Sequence, residues 1–335
     1  MRVVVIVNQV KELGYRQTTS MLAASLVRAG CDVFLADVDG LTFSNSNSSR
    51  NFVLSGCQLT ADSDFDSNSV ETFAKSDFSR EEIQLSAGDV IWIRTNPGRD
   101  LARLPVHDSF LEICYAAAGA GIRVINRPDH LRYFASKAAL ASLDPRYCPA
   151  MMISHCPEAI LNFIHAAESD CVVKPLIGSR GQDVIRVSKS DSDLKNVIES
   201  TFGNRGLVAQ HFVDADQPGD KRVIALDGKI LEINGSIAGI ERRPAADDFR
   251  ANLHAGGRAE PLVLNEQEKN VVRYAAKKLI EKGIWLAGVD LIGTKIIEFN
   301  VFSTGGLFDG SRFSGIDFAD AIVERFLNQF GAGSE

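Results

Sequence analysis

The sequence predicts a Rossmann-like α/β lobe followed by an α+β lobe, and three observations carry that prediction. Val3–Val7 is a continuous β-branched run of the kind that fills a central parallel strand buried on both faces. A helical segment, Met21–Val27, and a second apolar strand, Asp32–Ala36, follow it in β-α-β order. Beyond residue 170 the rhythm changes to short strands joined by tight turns, among them Asp227-Gly228, a strong hairpin signal.

The elements can be justified in order. Thr18-Thr19-Ser20 offers capping hydroxyls before the first helix, and Gly30 offers a stop after it. Residues 44–69 are dominated by Ser, Asn and Asp around one apolar island, Phe52-Val53-Leu54, and read as a long surface excursion. Asp89–Ile93 is a strand that ends in Arg94-Thr95-Asn96-Pro97-Gly98-Arg99-Asp100. A helix over 109–118 and a strand at Ile122–Ile125 complete the first layer, which Asn126-Arg127-Pro128 terminates. In the second half, strands are expected at Cys171–Lys174, Val184–Val187, Leu207–Val213, Arg222–Leu226 and Lys229–Ile233. A helix over 266–281 stops at Gly283, strands follow at Trp285–Ile292 and Lys295–Val301, and an amphipathic helix spans 316–330. No internal repeat is visible.

Length and composition bound the function. The 335 residues suit two or three domains, and 45% hydrophobic with 24% charged residues is globular composition. A net charge of −7 excludes a nucleic-acid partner, since phosphate neutralisation needs a basic face; a small anion can still be met by a local basic cluster. The six cysteines show no C-x-x-C pair and no zinc spacing, and read as reduced thiols. The apolar run after Met1-Arg2 is too short for a signal-peptide core, and no stretch is long enough for a membrane span, so a cytoplasmic location with no membrane partner is expected.

The most informative stretch is Gly288–Asn300. Glu298 and Asn300 are two apart, so they project from one strand face. A three-residue turn, Gly293-Thr294-Lys295, would set Ile292 against Ile296 and Asp290 against Glu298, bringing all three oxygen donors together. Two buried carboxylates there would repel unless a cation lay between them, and such hard donors suit Mg²⁺ held with nucleotide phosphates. The alternative is a hairpin whose acids face solvent.

Three basic elements accompany it. Lys174 ends an apolar strand, and Gly178-Ser179-Arg180-Gly181 follows, a loop able to turn amides toward phosphate, though without the Walker pattern. Gly219-Asp220-Lys221-Arg222 opens another strand. Arg242-Arg243-Pro244 and Arg250–Arg258 form a basic, glycine-bearing segment suited to clamping a phosphate or carboxylate. Each alone is equally a glycine turn or a solvated loop; together they suit a Mg²⁺-nucleotide. No Ser-His-Asp set is evident, the histidines 107, 130, 155, 165 and 254 lack a suggestive partner, and Trp92 and Trp285 read as core aromatics. The first turn, Asn8–Gly14, lacks the dinucleotide glycine fingerprint, which argues against an oxidoreductase.

These motifs resemble the ATP-grasp ligases, and within them the bacterial glutathione synthetase family. The resemblance runs through Asp89–Arg94 with Pro97 and Asp100, then Gly121–Pro128 with Leu131-Arg132 and Lys137. It continues through Lys174-Pro175-Leu176, Ile185-Arg186-Val187, Ala209-Gln210, Gly219–Val223, Asp227-Gly228, the 250–261 segment and Gly288–Asn300.

The resemblance implies a pre-ATP-grasp substrate domain over 1–126, a central lid domain over 127–206 and a metal-bearing domain over 207–335. It implies ATP and Mg²⁺ as cofactors, two ions, with Mn²⁺ as a substitute. Lys137, Lys174, Gly178, Ser179, Arg180, Gly181, Gln210, His211, Phe212 and Asp220 would bind nucleotide, the backbone of 208–211 reading adenine. Arg222, Arg242, Arg250 and Asn252 would act at the phosphates or the acyl group. Arg94, Ser303, Thr304, Gly305 and Gly306 would meet substrate, and Asp290, Glu298 and Asn300 would hold metal.

The implied reaction is amide formation through an acyl phosphate, from γ-glutamylcysteine and glycine. Small carboxylates and amines are then the partners, in a homo-oligomer, a dimer or tetramer. The stretch Val301-Phe302-Ser303-Thr304 departs from that family's Thr-Ser-Pro run, and 230–242 is longer than its usual form. Other readings are an ATP-grasp amino-acid or peptide ligase of glutamate-ligase type and an ATP-binding regulatory protein without activity.

Overall fold

In the computed structural model the described residues are 1–46, 49–60, 64–178, 181–202, 206–214, 218–246, 248–251 and 256–331. β1 (Arg2–Val7) carries the β-branched run through the middle of the N-terminal sheet with Val3–Val7 all buried. Its parallel neighbours are β2 (Asp32–Asp37) and β6 (Val90–Ile93), and β7 (Arg123–Ile125) lies beyond β6. α1 (Thr18–Arg28) makes the first crossover, and Gly30 takes φ 78° just past its end. Thr18, Thr19 and Ser20 sit inside the first turn of α1 and not ahead of it. The residue at the cap is Gln17, which gives no side-chain hydrogen bond to the helix.

The 44–69 stretch corrects the reading as a surface excursion. β3 (Leu41–Ser46) and β4 (Ser49–Gln58) form an antiparallel hairpin that extends the sheet past β2, and β5 (Glu81–Leu85) pairs with β4. Phe52 and Leu54 point inward with the period of two, while the Ser and Asn residues of β3 face water. The polar composition hid that alternation. α2 (Ser67–Lys75) and α3 (Leu104–Gly119) complete the lobe.

α4 (Pro128–Ala135) leads into a four-stranded antiparallel sheet. Its order is β10 (Ile185–Val187), β9 (Cys171–Pro175), β11 (Leu207–His211), β8 (Met151–Ser154). α5 (Pro157–Ala166) and α6 (Leu194–Phe202) pack against it, burying Ile160, Ile164, Val173 and Leu207 in one cluster. β11 lies between β8 and β9, so residues 207–211 belong to this central sheet. The expected boundary at 206/207 therefore moves beyond His211.

A second sheet runs β17 (Arg258–Glu260), β16 (Gly239–Arg243), β12 (Asp220–Leu226), β18 (Leu286–Ile292), β19 (Lys295–Asn300), with β13 (Lys229–Ile230) paired to the end of β12. Asp227 and Gly228 form the hairpin turn with φ 51° and 74°. The strand expected over 229–233 breaks after Ile230: β14 (Glu232–Ile233) pairs instead with β15 (Ser236–Ile237) across Asn234-Gly235. α7 (Glu266–Ile280) opens with an Asn265/Glu268 capping box and buries Val271, Val272, Ala275 and Leu279. α8 (Leu307–Ser314) and α9 (Phe318–Phe330) close the described chain.

The N-terminal lobe and the second sheet are tied together. Phe326 of α9 stacks on Trp92 of β6 with centroids 4.8 Å apart, and Trp285 meets both edge-on. Buried Asn126 donates from Nδ2 to the carbonyls of Leu286 and Val301, and its Oδ1 accepts from the amides of Trp285 and Leu286. All four of its side-chain hydrogen bonds thus join the end of the first lobe to the second sheet. No helix among the described residues is long and apolar enough to cross a membrane.

Candidate active site

The β18–β19 hairpin places Asp290 directly opposite Glu298 and Gly288 opposite Asn300, as the motif predicts. The turn differs from the expected one. Ile292 pairs with Lys295 and Leu291 with Ile296, so the loop is Gly293-Thr294 alone, and a β-bulge between the Leu291/Ile296 and Asp290/Glu298 pairs takes up the extra residue. Two register errors of opposite sense cancel, and the carboxylates still share a face.

Asp290 has arginine partners that its spacing did not suggest. Asp290, fully buried, is gripped by Arg222, with Nε to Oδ1 at 2.7 Å and Nη2 to Oδ2 at 2.6 Å, and Arg242 donates to Oδ2 at 2.8 Å. Arg242 also forms a two-pronged pair with Asp220 at 2.5 and 2.7 Å. Burial alone would raise the Asp290 pKa, but the two guanidinium groups outweigh it and hold the carboxyl well below its ordinary value. Strands β12, β16 and β18 lie side by side, which is why their alternate residues make one buried ionic network.

Glu298 is left free of arginine and faces a cavity of about 520 Å³. Lys137, Lys174, Gly178, Gly181, Gln210, His211, Phe212, Asp220, Arg242 and Arg250 line the same cavity, so most of the expected nucleotide residues do meet. Lys137 Nζ is 3.5 Å from Glu298, and Lys174 donates to the Ile297 carbonyl at 3.3 Å. Burial, reinforced by the Lys137 ammonium, pushes the Lys174 pKa down to about 8. Two buried ammonium groups beside one cavity suit a polyanion. Arg250 pairs with Asp248 and donates to the Gly181 carbonyl at 3.2 Å, bridging the glycine loop and the basic segment. Ser179, Arg180 and Asn252 lie outside the described residues.

The backbone reading of 208–211 needs correction. β11 is hydrogen-bonded on both sides, and the amides of His211 and Phe212 are taken by Ala150 and Asp170. A ligand would meet free backbone only past the strand, where Val213 and Asp214 also line the cavity. Sequence reasoning missed Val172, Phe249 and Arg186 on its walls; Arg186 lies 3.9 Å over the Phe212 ring, and Phe249 meets that ring edge-on. Strand alternation two residues from Lys174 could have signalled Val172. Arg186 and Phe249 gain their places only through tertiary packing.

A second, smaller cleft adjoins the first, lined by Asn96, Pro97, Gly98 and by Glu298, Asn300, Phe302, Ser303. Gly178 and Glu298 border both. Thr304 is buried against Gly288, and Gly306 caps α8 with φ 96°. Gly305 lies beside Arg222. Arg94 is buried in the first lobe, with Nε 3.3 Å from Thr19 Oγ1. His107, expected to be bland, is buried and hydrogen-bonded to Asp100 at 3.1 Å, a partner seven residues away.

The donors fit a metal bound together with phosphate. Half-buried Asn300 has a buried amide nitrogen with no hydrogen-bond partner among the described residues, a donor suited to a phosphate oxygen, on the face it shares with Glu298. Asp290 accepts three hydrogen bonds from Arg222 and Arg242, which leaves a lone pair on Oδ1. Among the described residues no three His, Cys, Asp or Glu side chains form a cage of their own. Glu298 and Asn300 would supply two oxygens and leave the remaining positions to the ligand.

Residues 1–132 match the N-terminal domain of prokaryotic glutathione synthetase and residues 137–314 match its ATP-grasp domain. The glutathione synthetase of Prochlorococcus marinus (strain MIT 9313) is 32% identical over 246 residues, covering 72% of this chain and 75% of that protein. That of Xylella fastidiosa (strain Temecula1 / ATCC 700964) is 32% identical over 262 residues, 77% of this chain and 78% of that protein. Among solved structures, D-cycloserine synthetase DcsG superposes with a TM-score of 0.62 at 16% identity, covering 96% of this chain and 99% of that one. The ATP-grasp ligase PsnB complexed with minimal precursor gives 0.61 at 16% identity, with 97% and 98% coverage. This family works with ATP and a divalent metal. With its two domains in this order and an ATP-grasp site between two antiparallel sheets, the chain belongs to the prokaryotic glutathione synthetase family of ATP-dependent, C–N bond-forming ligases.

Proposed function

We propose that the chain joins γ-glutamylcysteine to glycine at the expense of ATP, and that the residues converging on the cavity carry the reaction. The observation that carries this reading is the common border of the two hollows. Glu298 and Gly178 line both the large cavity, which holds the two lysines, and the small cleft, which reaches toward Asn96–Gly98. A nucleotide in the first would present its terminal phosphate to a carboxylate in the second.

In this reading Lys137 and Lys174 hold the phosphates as fixed charges in a desolvated site, and Arg250 brings the lid segments together over them. Glu298 and Asn300 would hold the Mg²⁺, two ions on this reading, which would supply charge neutralisation on the transferring group. Arg242 and Arg222 keep the strand faces in register through Asp290 and Asp220 and place positive charge behind the acyl group. A carboxylate oxygen of the donor attacks the γ-phosphorus and ADP leaves. The amine then attacks the acyl carbon, inorganic phosphate leaves, and the amine proton passes to solvent or phosphate. No side-chain nucleophile is needed, because phosphorylation makes the leaving group and positioning does the rest.

The test is ADP release with ATP, Mg²⁺, γ-glutamylcysteine and glycine, with tripeptide detected by mass. Release that depends on both substrates supports the assignment. Release only with other amino-acid pairs overturns it in favour of a ligase with a different acceptor or donor.

A further inference from the structure

The small cleft has two kinds of wall. On one side stand β19 and its continuation, from Glu298 to Ser303. On the other stands a loop, Asn96-Pro97-Gly98, which follows β6. A strand is held in place by its neighbours, whereas a loop stands where its anchors put it. Residues Pro97–Arg99 and Leu101–Arg103 form two short 3₁₀ turns. The amides of Arg99, Asp100 and Arg103 donate to the carbonyls of Asn96, Pro97 and Asp100, all within the loop. Bonds of that kind shape the loop and do not tether it to the lobe.

Side chains tether it at both ends. At the first end Asn8 donates from Nδ2 to the Asn96 carbonyl at 3.0 Å and accepts from the Asn96 amide at 2.6 Å. At the second, the Asp100 carboxylate lies 3.1 Å from Nε2 of His107. An ionised carboxylate only accepts, so Nε2 carries the proton. His107 is in the first turn of α3, and helical side chains lean toward the N-terminus, so the ring reaches back to Asp100. The ring is buried, and its Nδ1 has no hydrogen-bond partner among the described residues. A bare lone pair there costs less than an N–H with nothing to accept it. Burial lowers the His107 pKa against the pull of Asp100, and the positive end of α3 acts in the same sense as burial. The ring is thus neutral, with its one N–H aimed at one carboxylate. Arg103 stands 3.8 Å from the same carboxylate oxygen and makes its short bond to Asp39 instead, at 2.6 Å.

We propose that His107 is a positioning residue: by holding Asp100 it sets the Asn96–Gly98 wall against Glu298 and Ser303, and so how tightly the cleft takes the acyl donor. His107 lines neither hollow, and no residue of 96–103 lines the nucleotide cavity. Its influence is therefore confined to one substrate. This role rests on the ligase reading above, which seats the donor carboxylate in that cleft.

The experiment compares the full chain with His107→Leu, which removes the N–H, and His107→Gln, which keeps an amide N–H at a similar reach. Steady-state kinetics use ATP, Mg²⁺, γ-glutamylcysteine and glycine. His107→Leu should raise KM for γ-glutamylcysteine about 10-fold and leave KM for ATP within about 2-fold. His107→Gln should bring the first constant back to within about 3-fold of wild type. An unchanged KM for γ-glutamylcysteine in His107→Leu overturns the role. So does an equal rise for ATP, or a Gln variant as impaired as Leu, since a merely structural defect would give either. Hydrogen exchange of the free protein, read over 96–103 by mass spectrometry, needs no substrate. It should quicken about 10-fold in His107→Leu and not in His107→Gln, and unchanged exchange in His107→Leu overturns the tether. If wild type does not turn over this substrate pair, the donor assignment falls and takes the KM effect with it. The exchange result then still upholds or overturns the tether by itself.

Discussion

Arg222 and Asp290 face each other across β12 and β18 and share two hydrogen bonds, at 2.7 and 2.6 Å, with Arg242 completing the triad. The aspartate is therefore a counter-charge for buried arginines. Asp290→Asn should cost about 3–5 kcal/mol of stability, because Arg222 is left without its carboxylate partner and Arg242 keeps only Asp220. Chemical denaturation of the unliganded protein checks it. A change below 1 kcal/mol in that measurement would refute the role.

Glu298 behaves in the opposite way. Its side chain is 28% exposed and its cation partner is a lysine 3.5 Å off, so Glu298→Gln should leave stability within about 0.5 kcal/mol. It should lower turnover about 100-fold or more, and weaken Mg²⁺-dependent nucleotide binding in calorimetry. Asn300→Ala should act in the same direction. Unchanged ADP release in Glu298→Gln would remove it from the site.

Lys174 gives the protein a pH signature. Its folded pKa is about 8 against an ordinary 10.5, so between those values the unfolded chain binds the extra proton. Stability of the unliganded protein should rise with pH from about 8 to 10 by at most about 3 kcal/mol from this residue, and be flat in this respect below 8. Urea unfolding of wild type and Lys174→Met at two pH values isolates it: the variant should lose the slope. Nucleotide phosphates favour the charged form, so ATP binding at pH 8.5 should take up protons, read from titrations in buffers of different ionisation heat.

Phe326 is buried between Trp92 and Trp285, and it joins α9 to the first lobe. Phe326→Ala should cost about 3–5 kcal/mol, lowering the unfolding midpoint of the first lobe and the second sheet together. Separate transitions for the two in the wild type would contradict the shared core.

Much of this could be read along the chain because short-range physics fixed it. The Val3–Val7 run dictates a doubly buried strand, and the period of two in Glu298–Asn300 dictates a shared face. What escaped was long-range. The arginines that neutralise Asp290 sit 68 and 48 residues away, and only strand order brings them alongside. The β3–β4 hairpin was hidden because Phe52 and Leu54 are the few apolar residues in a polar stretch, too sparse to outweigh composition. β11 was placed in the wrong sheet because a strand's own residues do not state its partners. The His107–Asp100 pair and the wall made by Phe249 are likewise products of the fold.

The four hydrogen bonds of Asn126 have a mechanical meaning. They weld the first lobe to the strand pair that bears Glu298 and Asn300, so that lobe and that hairpin form one floor. Lys174, Gly178 and Gly181 belong to the four-stranded sheet above it. A shift of that sheet against the floor would change the span from Lys174 to the Ile297 carbonyl, 3.3 Å in this conformation. That single span would then serve as a gauge of how closely the two sheets approach over a nucleotide.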